Sequence, residues 1–411
     1  MSLLPRRGAV LVFLAFAFAY FFSALIRAVT ATLSPQLTLE FALHARDLGL
    51  LAGGYFLGFA VMQLPLGRWL DRHGPKRVIL GFLAVAAAGC LAFSLAQGFT
   101  GLLLARVLSG IGLAACLMAP LTGYRRWLTP ATQLRANSWM LMMGSMGMVA
   151  ATLPVQWLMP LTGWRPLFVG LAVLLLLSML LIAWQVPAWT PETGQTQGTG
   201  SRGYAQVWRN TTFRRMTPIG FINYGGMVAI QTLWVVPWTI QVGGATPAQA
   251  AASLFWINGA MLVTFWAWGM LVPRLARQGW HAERLMAWGI PLSLLLLTVN
   301  VFGGETIAAA SGWMWALYCV SSSVISLAQP AVGMAFPASL AGRALSGYNL
   351  VIFGGVFAVQ WGIGLLIDAC AALGWPLPQA YRAALGAFLL LSLAAYLHFL
   401  WHRRDNPAQS P

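Results

Sequence analysis

The sequence predicts an all-α integral membrane protein whose twelve transmembrane helices form two six-helix halves. Hydrophobic residues make up 59% of the 411 residues and charged residues only 8%, whereas roughly a quarter of a soluble domain is charged. Twelve apolar runs each approach the roughly 20 residues that a helix needs to cross the hydrocarbon core of a bilayer. Basic residues cluster in the short segments between these runs, as expected of a membrane protein.

The apolar runs place the twelve spans in chain order at 9–33, 48–70, 77–97, 100–123, 136–159, 165–186, 216–242, 248–272, 284–303, 309–337, 345–369 and 380–401. A polar stretch rich in Gly, Thr and Gln interrupts the series after the sixth span. Such a composition is typical of a flexible linker. We therefore predict an N-terminal six-helix half over 1–186, a cytoplasmic linker over 187–215 and a C-terminal six-helix half over 216–411.

The distribution of basic residues predicts the orientation. With the N-terminus in the cytoplasm, nineteen of the 24 Lys and Arg residues fall on the cytoplasmic side and three on the opposite side, counting those at span ends with the adjoining segment, and two lie clearly within spans. Positively charged segments stay in the cytoplasm, so both termini are expected there. The high ratio of Arg to Lys and the many Ala and Gly residues are compatible with a GC-rich bacterial genome. We therefore expect a multi-pass protein of the bacterial inner (plasma) membrane.

The net charge of +16 invites comparison with nucleic-acid-binding proteins, but the pattern argues against that class. The Arg residues lie in short clusters between runs of membrane-spanning length rather than within a polar soluble domain. We therefore expect the basic residues to lie next to membrane lipid, and we expect no nucleic-acid partner. A monomer is expected.

A motif lies between the second and third spans, where the sequence reads GRWLDRHGPKR over 67–77. It resembles the G-x-L-a-D-R-x-G-R-[KR]-[KR] signature of the major facilitator superfamily, with a departure at Pro75, where a basic residue is usual. The resemblance implies two six-helix halves that move a solute by alternating access. It also implies a conformational gating role, in which the Asp helps to lock the halves together when the carrier faces outward. The residues to which this role transfers are Gly67, Asp71, Arg72, Gly74, Lys76 and Arg77.

Two further elements resemble the same family in part. Arg106, Gly110 and Gly112 of the fourth span match an R-x-x-x-G-x-G element. In the fifth span, the G-x-x-G over 144–147 followed by Pro154 only loosely resembles the antiporter signature, because the expected Gly-Pro pair is absent. This departure disfavours export by antiport, and uptake is slightly favoured.

Arg27 and Arg106 are the two basic residues that lie clearly within spans rather than at their ends, at similar predicted depths in the first and fourth. A charge in a span is costly, so such residues are candidates for function. The family resemblance implies that the first, fourth, seventh and tenth helices line a central cavity. Two guanidinium groups there would form a fork-shaped receptor for a carboxylate or phosphate. Alternatively, either Arg bonds backbone carbonyls, pairs with Glu40 or extends to the membrane surface.

Polar and aromatic residues of the seventh and tenth spans extend the predicted substrate-binding set. Their spacings of three and four place several of them on one helical face. The predicted members are Asn223, Tyr224, Gln231, Trp234, Trp238, Tyr318 and Ser322. These side chains would orient an organic anion and stack on a ring; the alternative is that they only pack helices together and form interfacial aromatic belts.

Several functional classes find no support in the sequence. None of the eight acidic or five His residues lies near the middle of a span, so a proton relay has no obvious carrier. There is no nucleophile–base pair, phosphate-binding loop or metal-ligand spacing, which argues against an enzyme, a cofactor or a metal site. The predicted function is a secondary active or facilitative transporter of a small solute, an organic anion. The alternative is an efflux carrier for amphipathic drugs or metabolites that works by proton antiport.

Overall fold

A computed structural model describes residues 3–189 and 200–401, and most of these residues are helical with no strand among them. Ten helices in the described ranges are long and apolar enough to cross a membrane. The predicted all-α membrane class is therefore confirmed. Residues 190–199, the centre of the predicted linker, lie outside the described residues.

Seven helices form the first six spans. They are α1 (Arg6–Phe41), α2 (Ala45–Leu95), α3 (Phe99–Leu113), α4 (Ala115–Trp127), α5 (Pro130–Ala150), α6 (Leu153–Thr162) and α7 (Trp164–Gln185). α3 and α4 together make the fourth span.

The 51-residue α2 contains both the second and the third spans. At about 1.5 Å per residue it is more than twice as long as the hydrocarbon core is thick. Its helical geometry breaks at Gly74, where φ is +76°, a backbone conformation that glycine adopts without steric penalty. The break lies inside the motif at 67–77.

The fifth span is formed by two helices that meet at an angle of 45°. Pro154 lies in the first turn of α6, where a missing N–H costs no helical hydrogen bond. When α5 with α6 counts as one span and α2 as two, the ten helices become twelve spans. The predicted count is consistent with this.

The remainder of the described chain forms a short helix followed by the last six spans. Its α-helices are α8 (Gly200–Arg209), α9 (Thr211–Pro218), α10 (Gly225–Ala229), α11 (Val235–Gln241), α12 (Pro247–Arg277), α13 (Ala282–Gly303), α14 (Ser311–Ser322), α15 (Ala328–Met334), α16 (Ala338–Ala372) and α17 (Leu377–Trp401). Two π-helical segments, Ile219–Tyr224 and Ile230–Trp234, interrupt the seventh span. Such segments are frequent at functional sites.

Contacts divide the chain into two compact units. The first unit contains Met1–Leu33 and Gly54–Thr196; the second contains Ser34–Gly53 and Gln197–Pro411. The end of α1 and the beginning of α2 therefore belong by their contacts to the second unit.

Glycines of the fourth span determine how closely the helices of the first unit pack. A Cβ atom on Gly110 would lie 1.9 Å from the Tyr55 carbonyl oxygen, and one on Gly112 would lie 2.2 Å from the Ala86 amide nitrogen. These glycines allow the fourth span to contact the backbones of the second and third spans directly. The two glycines of the R-x-x-x-G-x-G element thus have a packing role, because they have no side chain to keep the helices apart.

Candidate functional site

Arg106 lies on α3 and is fully buried. Its Nη1 donates a hydrogen bond of 2.8 Å to the carbonyl oxygen of Ile26 on α1, and its guanidinium carbon lies 5.1 Å from the centre of the Tyr55 ring. Its Nε and Nη2 atoms have no hydrogen-bond partner among the described residues. Arg106 thus joins the first, second and fourth spans while retaining donors that no described residue satisfies.

Arg27 follows Ile26 directly on α1, and its side chain is partly exposed. It interacts electrostatically with the Tyr55 hydroxyl on α2 and with the Cys116 thiol on α4. The structure therefore brings Arg27 and Arg106 to the same Tyr55 side chain. We call Ser23, Arg27, Tyr55, Arg106 and Cys116 the first-unit polar cluster.

The chemistry of the first-unit polar cluster favours an anion. Two guanidinium groups in an apolar surrounding concentrate positive charge, and a planar guanidinium binds a carboxylate with two parallel hydrogen bonds. The alternative expectation for the two Arg residues was that they bond backbone carbonyls. This holds in part for Arg106, because one of its donors bonds a backbone carbonyl. That bond places Arg106 against the residue that precedes Arg27, so it also supports the position of Arg27.

The polar residues of the seventh span contact several different helices. Asn223 Nδ2 donates to the Ser392 carbonyl at 3.3 Å, and Gln231 Nε2 donates to Asn258 Oδ1 at 2.8 Å. Trp234 Nε1 donates to the Gln360 carbonyl at 3.2 Å. These partners lie on α17, α12 and α16. All three residues lie in the π-helical segments of the seventh span.

An aromatic cluster joins the seventh and tenth spans. The ring centres of Trp238 and Trp315 are 5.5 Å apart, and those of Trp315 and Tyr318 are 5.6 Å apart, both nearly perpendicular. Edge-to-face contacts of this kind are favourable. Ser322 lies one helical turn beyond Tyr318 and is buried. Tyr224, in contrast, packs as a partly buried residue against the hydrophobic core of the second unit.

The motif between the second and third spans is held by an aromatic residue that follows the sixth span. A Cβ atom on Gly74 would lie 2.1 Å from the Trp189 ring, and the Arg126 guanidinium carbon lies 3.9 Å from the centre of that ring. Burial raises the pKa of Asp71, and the nearby Arg125 and Arg126 act in the opposite direction. The motif carboxylate thus lies beside basic residues at the end of the fourth span.

The other motif residues lie along the same stretch of α2. Arg72 and Arg77 are exposed, and Gly67 and Lys76 are partly exposed.

Asp368 has a role that the sequence did not reveal. Its two carboxylate oxygens each accept a hydrogen bond of 3.1 Å, from the backbone amides of Ala45 and Arg46 at the start of α2. The Arg46 Nε atom also lies 3.8 Å from this carboxylate. A carboxylate is favoured at a helix N-terminus, but only the folded chain shows that this one comes from α16.

Glycines allow α16 to approach the start of α2 closely. A Cβ atom on Gly49 would lie 2.4 Å from the Gln360 carbonyl oxygen, and one on Gly364 would lie 2.4 Å from the Ala45 carbonyl oxygen. We call this contact, together with the Asp368 hydrogen bonds, the Asp368 latch.

Within the described ranges, no group of three or more His, Cys, Asp or Glu side chains is arranged to hold a metal ion.

Comparison with known proteins places these features in a family. The sequence model of the Major Facilitator Superfamily matches residues 16–360. The chain is 33% identical over 238 residues to the inner membrane transport protein YajR of Escherichia coli (strain K12), covering 55% of this chain and 48% of that protein. It is 25% identical over 338 residues to the multidrug resistance protein MdtH of Klebsiella pneumoniae (strain 342), covering 80% and 79%.

A further relative is the gallate transporter of Pseudomonas putida, which is 24% identical over 293 residues, covering 70% of this chain and 61% of that protein. The chain thus spans about half the length of YajR and less than two thirds of the gallate transporter. The fold is similar to the crystal structure of a bacterial homolog of the human lysosomal transporter Spinster, with a TM-score of 0.78 at 16% identity, covering 99% of this chain and 100% of that one.

Proposed function

Because this chain belongs to the Major Facilitator Superfamily of transporters, we propose that it moves a small organic anion across a bacterial inner membrane by alternating access. It is a secondary active or facilitative carrier, and it works as a monomer with both termini in the cytoplasm. The observation that carries the choice of substrate is the first-unit polar cluster. Arg106 lies over the ring of the buried Tyr55, and Arg27 is a second positive charge that acts electrostatically on the same residue. Such a site favours a negatively charged solute.

Arg27 and Arg106 have different tasks in this proposal. Arg27 is partly exposed and binds the carboxylate of the solute. Arg106 is buried and bonded to the Ile26 carbonyl, so it positions the neighbouring Arg27 and adds positive charge. Within the second unit, the aromatic cluster of Trp238, Trp315 and Tyr318 and the polar residues Gln231, Asn223 and Ser322 stay predicted substrate-binding residues.

An aromatic carboxylate is the favoured solute class. Its carboxylate carries the negative charge that suits the first-unit polar cluster. Support comes from a relative named as a gallate transporter, since gallate is a hydroxylated aromatic carboxylate.

The test is a thermal-shift screen of the purified protein against benzoate, gallate, aliphatic carboxylates, phosphate and hydrophobic cations. A solute that binds the folded state raises the melting temperature. At a hundredfold excess over Kd, it adds about 2.7 kcal/mol to the free energy of unfolding. We expect stabilisation by aromatic carboxylates, followed by their uptake into proteoliposomes. Stabilisation by hydrophobic cations alone would reject the anion proposal.

Efflux of amphipathic compounds is the second candidate. A relative named as a multidrug resistance protein aligns over most of the chain, and the clustered aromatic rings offer apolar contact area. Expression in a drug-sensitive strain distinguishes this function, because an exporter raises the inhibitory concentration of its substrates and an importer does not.

The Asp368 latch is proposed to close the outer ends of the second and eleventh spans, on the side opposite to the motif at 67–77. Substituting Asp368 with alanine leaves two helix N-terminal amides without their acceptor. We expect this to lower the free energy of unfolding by about 1–2 kcal/mol. A cysteine in place of Phe357, which packs against Gly53 further along the contact between α16 and α2, should become more accessible to membrane-impermeant thiol reagents.

Glu305→Ala is the matched control, because Glu305 is an exposed acid on the same proposed side. It should leave stability and labelling unchanged. Equal effects of both substitutions would show that a general loss of negative charge, rather than the latch, is responsible.

A further inference from the structure

Tyr55 on α2 has a fully buried side chain whose hydroxyl forms no hydrogen bond with any described residue. The Ser23 hydroxyl interacts with this phenol, but the pair does not meet the distance and angle of a hydrogen bond. The charged neighbours of the phenol are Arg27 and Arg106, and Cys116 also faces it. An unsatisfied donor thus lies within the cluster that we propose for the anion.

The fold holds the Tyr55 ring in place without using its hydroxyl. The ring is stacked with Phe59 at 6.2 Å between centres and meets Phe56 edge-on at 5.3 Å, while Arg106 covers it. The Tyr55 carbonyl lies directly against Gly110. A phenylalanine would make all of these contacts, and it would avoid the cost of burying a polar group without a partner. Packing therefore does not explain why this residue is a tyrosine.

A bound carboxylate would satisfy the hydroxyl. A carboxylate offers acceptor sites on two oxygens, and a phenol is a single donor that remains neutral beside the guanidinium groups. Hydrogen bonds to an ionised acceptor are about twice as strong as those between neutral groups. The Tyr55 hydroxyl and the guanidinium groups could thus each interact with one oxygen of the same carboxylate.

We propose that the Tyr55 hydroxyl donates a hydrogen bond to the carboxylate of the transported anion, next to Arg27. Tyr55 is then a substrate-binding residue that distinguishes carboxylates from apolar or cationic solutes. This inference rests on the proposed function and adds a residue to its site.

The test compares Tyr55→Phe with Tyr124→Phe in the purified full-length protein. Tyr124 is also fully buried in the first unit with an unpartnered hydroxyl, but neither Arg27 nor Arg106 acts on it. Binding of benzoate, gallate and acetate is measured by calorimetry, and the melting temperature of the ligand-free protein is measured alongside. Transport is assayed in proteoliposomes as KM and maximal rate.

We expect Tyr55→Phe to raise the Kd and KM of the bound carboxylate about tenfold, which corresponds to 1.4 kcal/mol, with little change in maximal rate. The melting temperature of the ligand-free variant should be equal to or above that of the wild type, because an unsatisfied buried group is removed. A hydroxyl with a merely structural role would instead lower the melting temperature. Tyr124→Phe should leave Kd and KM unchanged.

Two other outcomes separate this inference from the proposed function. If Tyr55→Phe binds carboxylates as the wild type does while Arg27→Ala does not, the Tyr55 hydroxyl lies outside the site and the proposed function stands. If the wild type binds none of the carboxylates, the proposed function is wrong and the role of Tyr55 is rejected with it.

Discussion

Replacing Arg27 with alanine is expected to abolish transport of carboxylates while the protein still folds and inserts into the membrane. Arg27 is the partly exposed member of the first-unit polar cluster, so its loss removes the charge that meets the solute. Loss of one partner from a buried, hydrogen-bonded charge pair costs about 2–5 kcal/mol, which corresponds to a fall in affinity by a factor of about 30 or more. Uptake into proteoliposomes, normalised to inserted protein, measures this effect.

Arg135→Ala is the control for this substitution. Arg135 carries the same charge in the same half of the chain, and its side chain is exposed in α5. It should transport carboxylates at the wild-type rate. Undiminished uptake by the Arg27→Ala protein would remove Arg27 from the site.

Arg27→Lys tests whether the shape of the guanidinium contributes as well as its charge. Lysine keeps the positive charge but lacks the planar fork that binds a carboxylate through two hydrogen bonds. Binding intermediate between the wild type and the alanine variant is expected. Wild-type affinity would show that charge alone suffices.

Replacing Gly110 with alanine is expected to have the largest effect on folding. The added Cβ would lie 1.9 Å from the Tyr55 carbonyl oxygen and 2.8 Å from the carbonyl carbon. These are backbone atoms, which cannot rotate away as a side chain does. Overpacking of a core typically costs about 1–3 kcal/mol and occasionally more, and a clash between two backbones lies at the upper end. We expect a large loss of folded, monodisperse protein and a lower melting temperature in what remains.

Gly170→Ala provides the comparison. Gly170 lies within α7, and a Cβ atom there would meet nothing within 4 Å. Alanine is favoured over glycine within a helix by up to about 1 kcal/mol, so this variant should be as stable as the wild type or more stable. A similar loss of folded protein from both variants would show that helix packing at Gly110 is not the cause.

The spans and the motif could be predicted because their signals are local in sequence. A hydrophobic run of about 20 residues specifies a transmembrane helix whatever surrounds it, since the lipid and not a partner helix satisfies its side chains. The sequence marked Gly74, Gly110 and Gly112 as members of family elements, but their structural roles, a break with positive φ at Gly74 and close backbone packing at Gly110 and Gly112, came from the fold.

The internal arrangement of the second unit depended on tertiary contacts. Gln231, Trp234 and Trp238 have the spacing of a single helical face, yet their partners are Asn258, Gln360 and Trp315. The sequence predicted a continuous helix over 216–242, and no residue pattern in it indicated the π-helical segment Ile230–Trp234. That Gln231, Trp234 and Trp238 belong to the substrate site stays a prediction.

Hydropathy and the motif at 67–77 were sufficient to identify a helical membrane protein that resembles the Major Facilitator Superfamily, with Arg27 and Arg106 as the charges clearly within its predicted spans. The residues that surround those charges are seen only in the folded chain. Tyr55 and Asp368 are separated from their partners by many residues, and nothing in the local pattern distinguishes a buried phenol without an acceptor from one that is satisfied. The physical reason is that hydrophobicity acts residue by residue along the chain, whereas hydrogen bonds and ion pairs depend on distances between atoms of different helices.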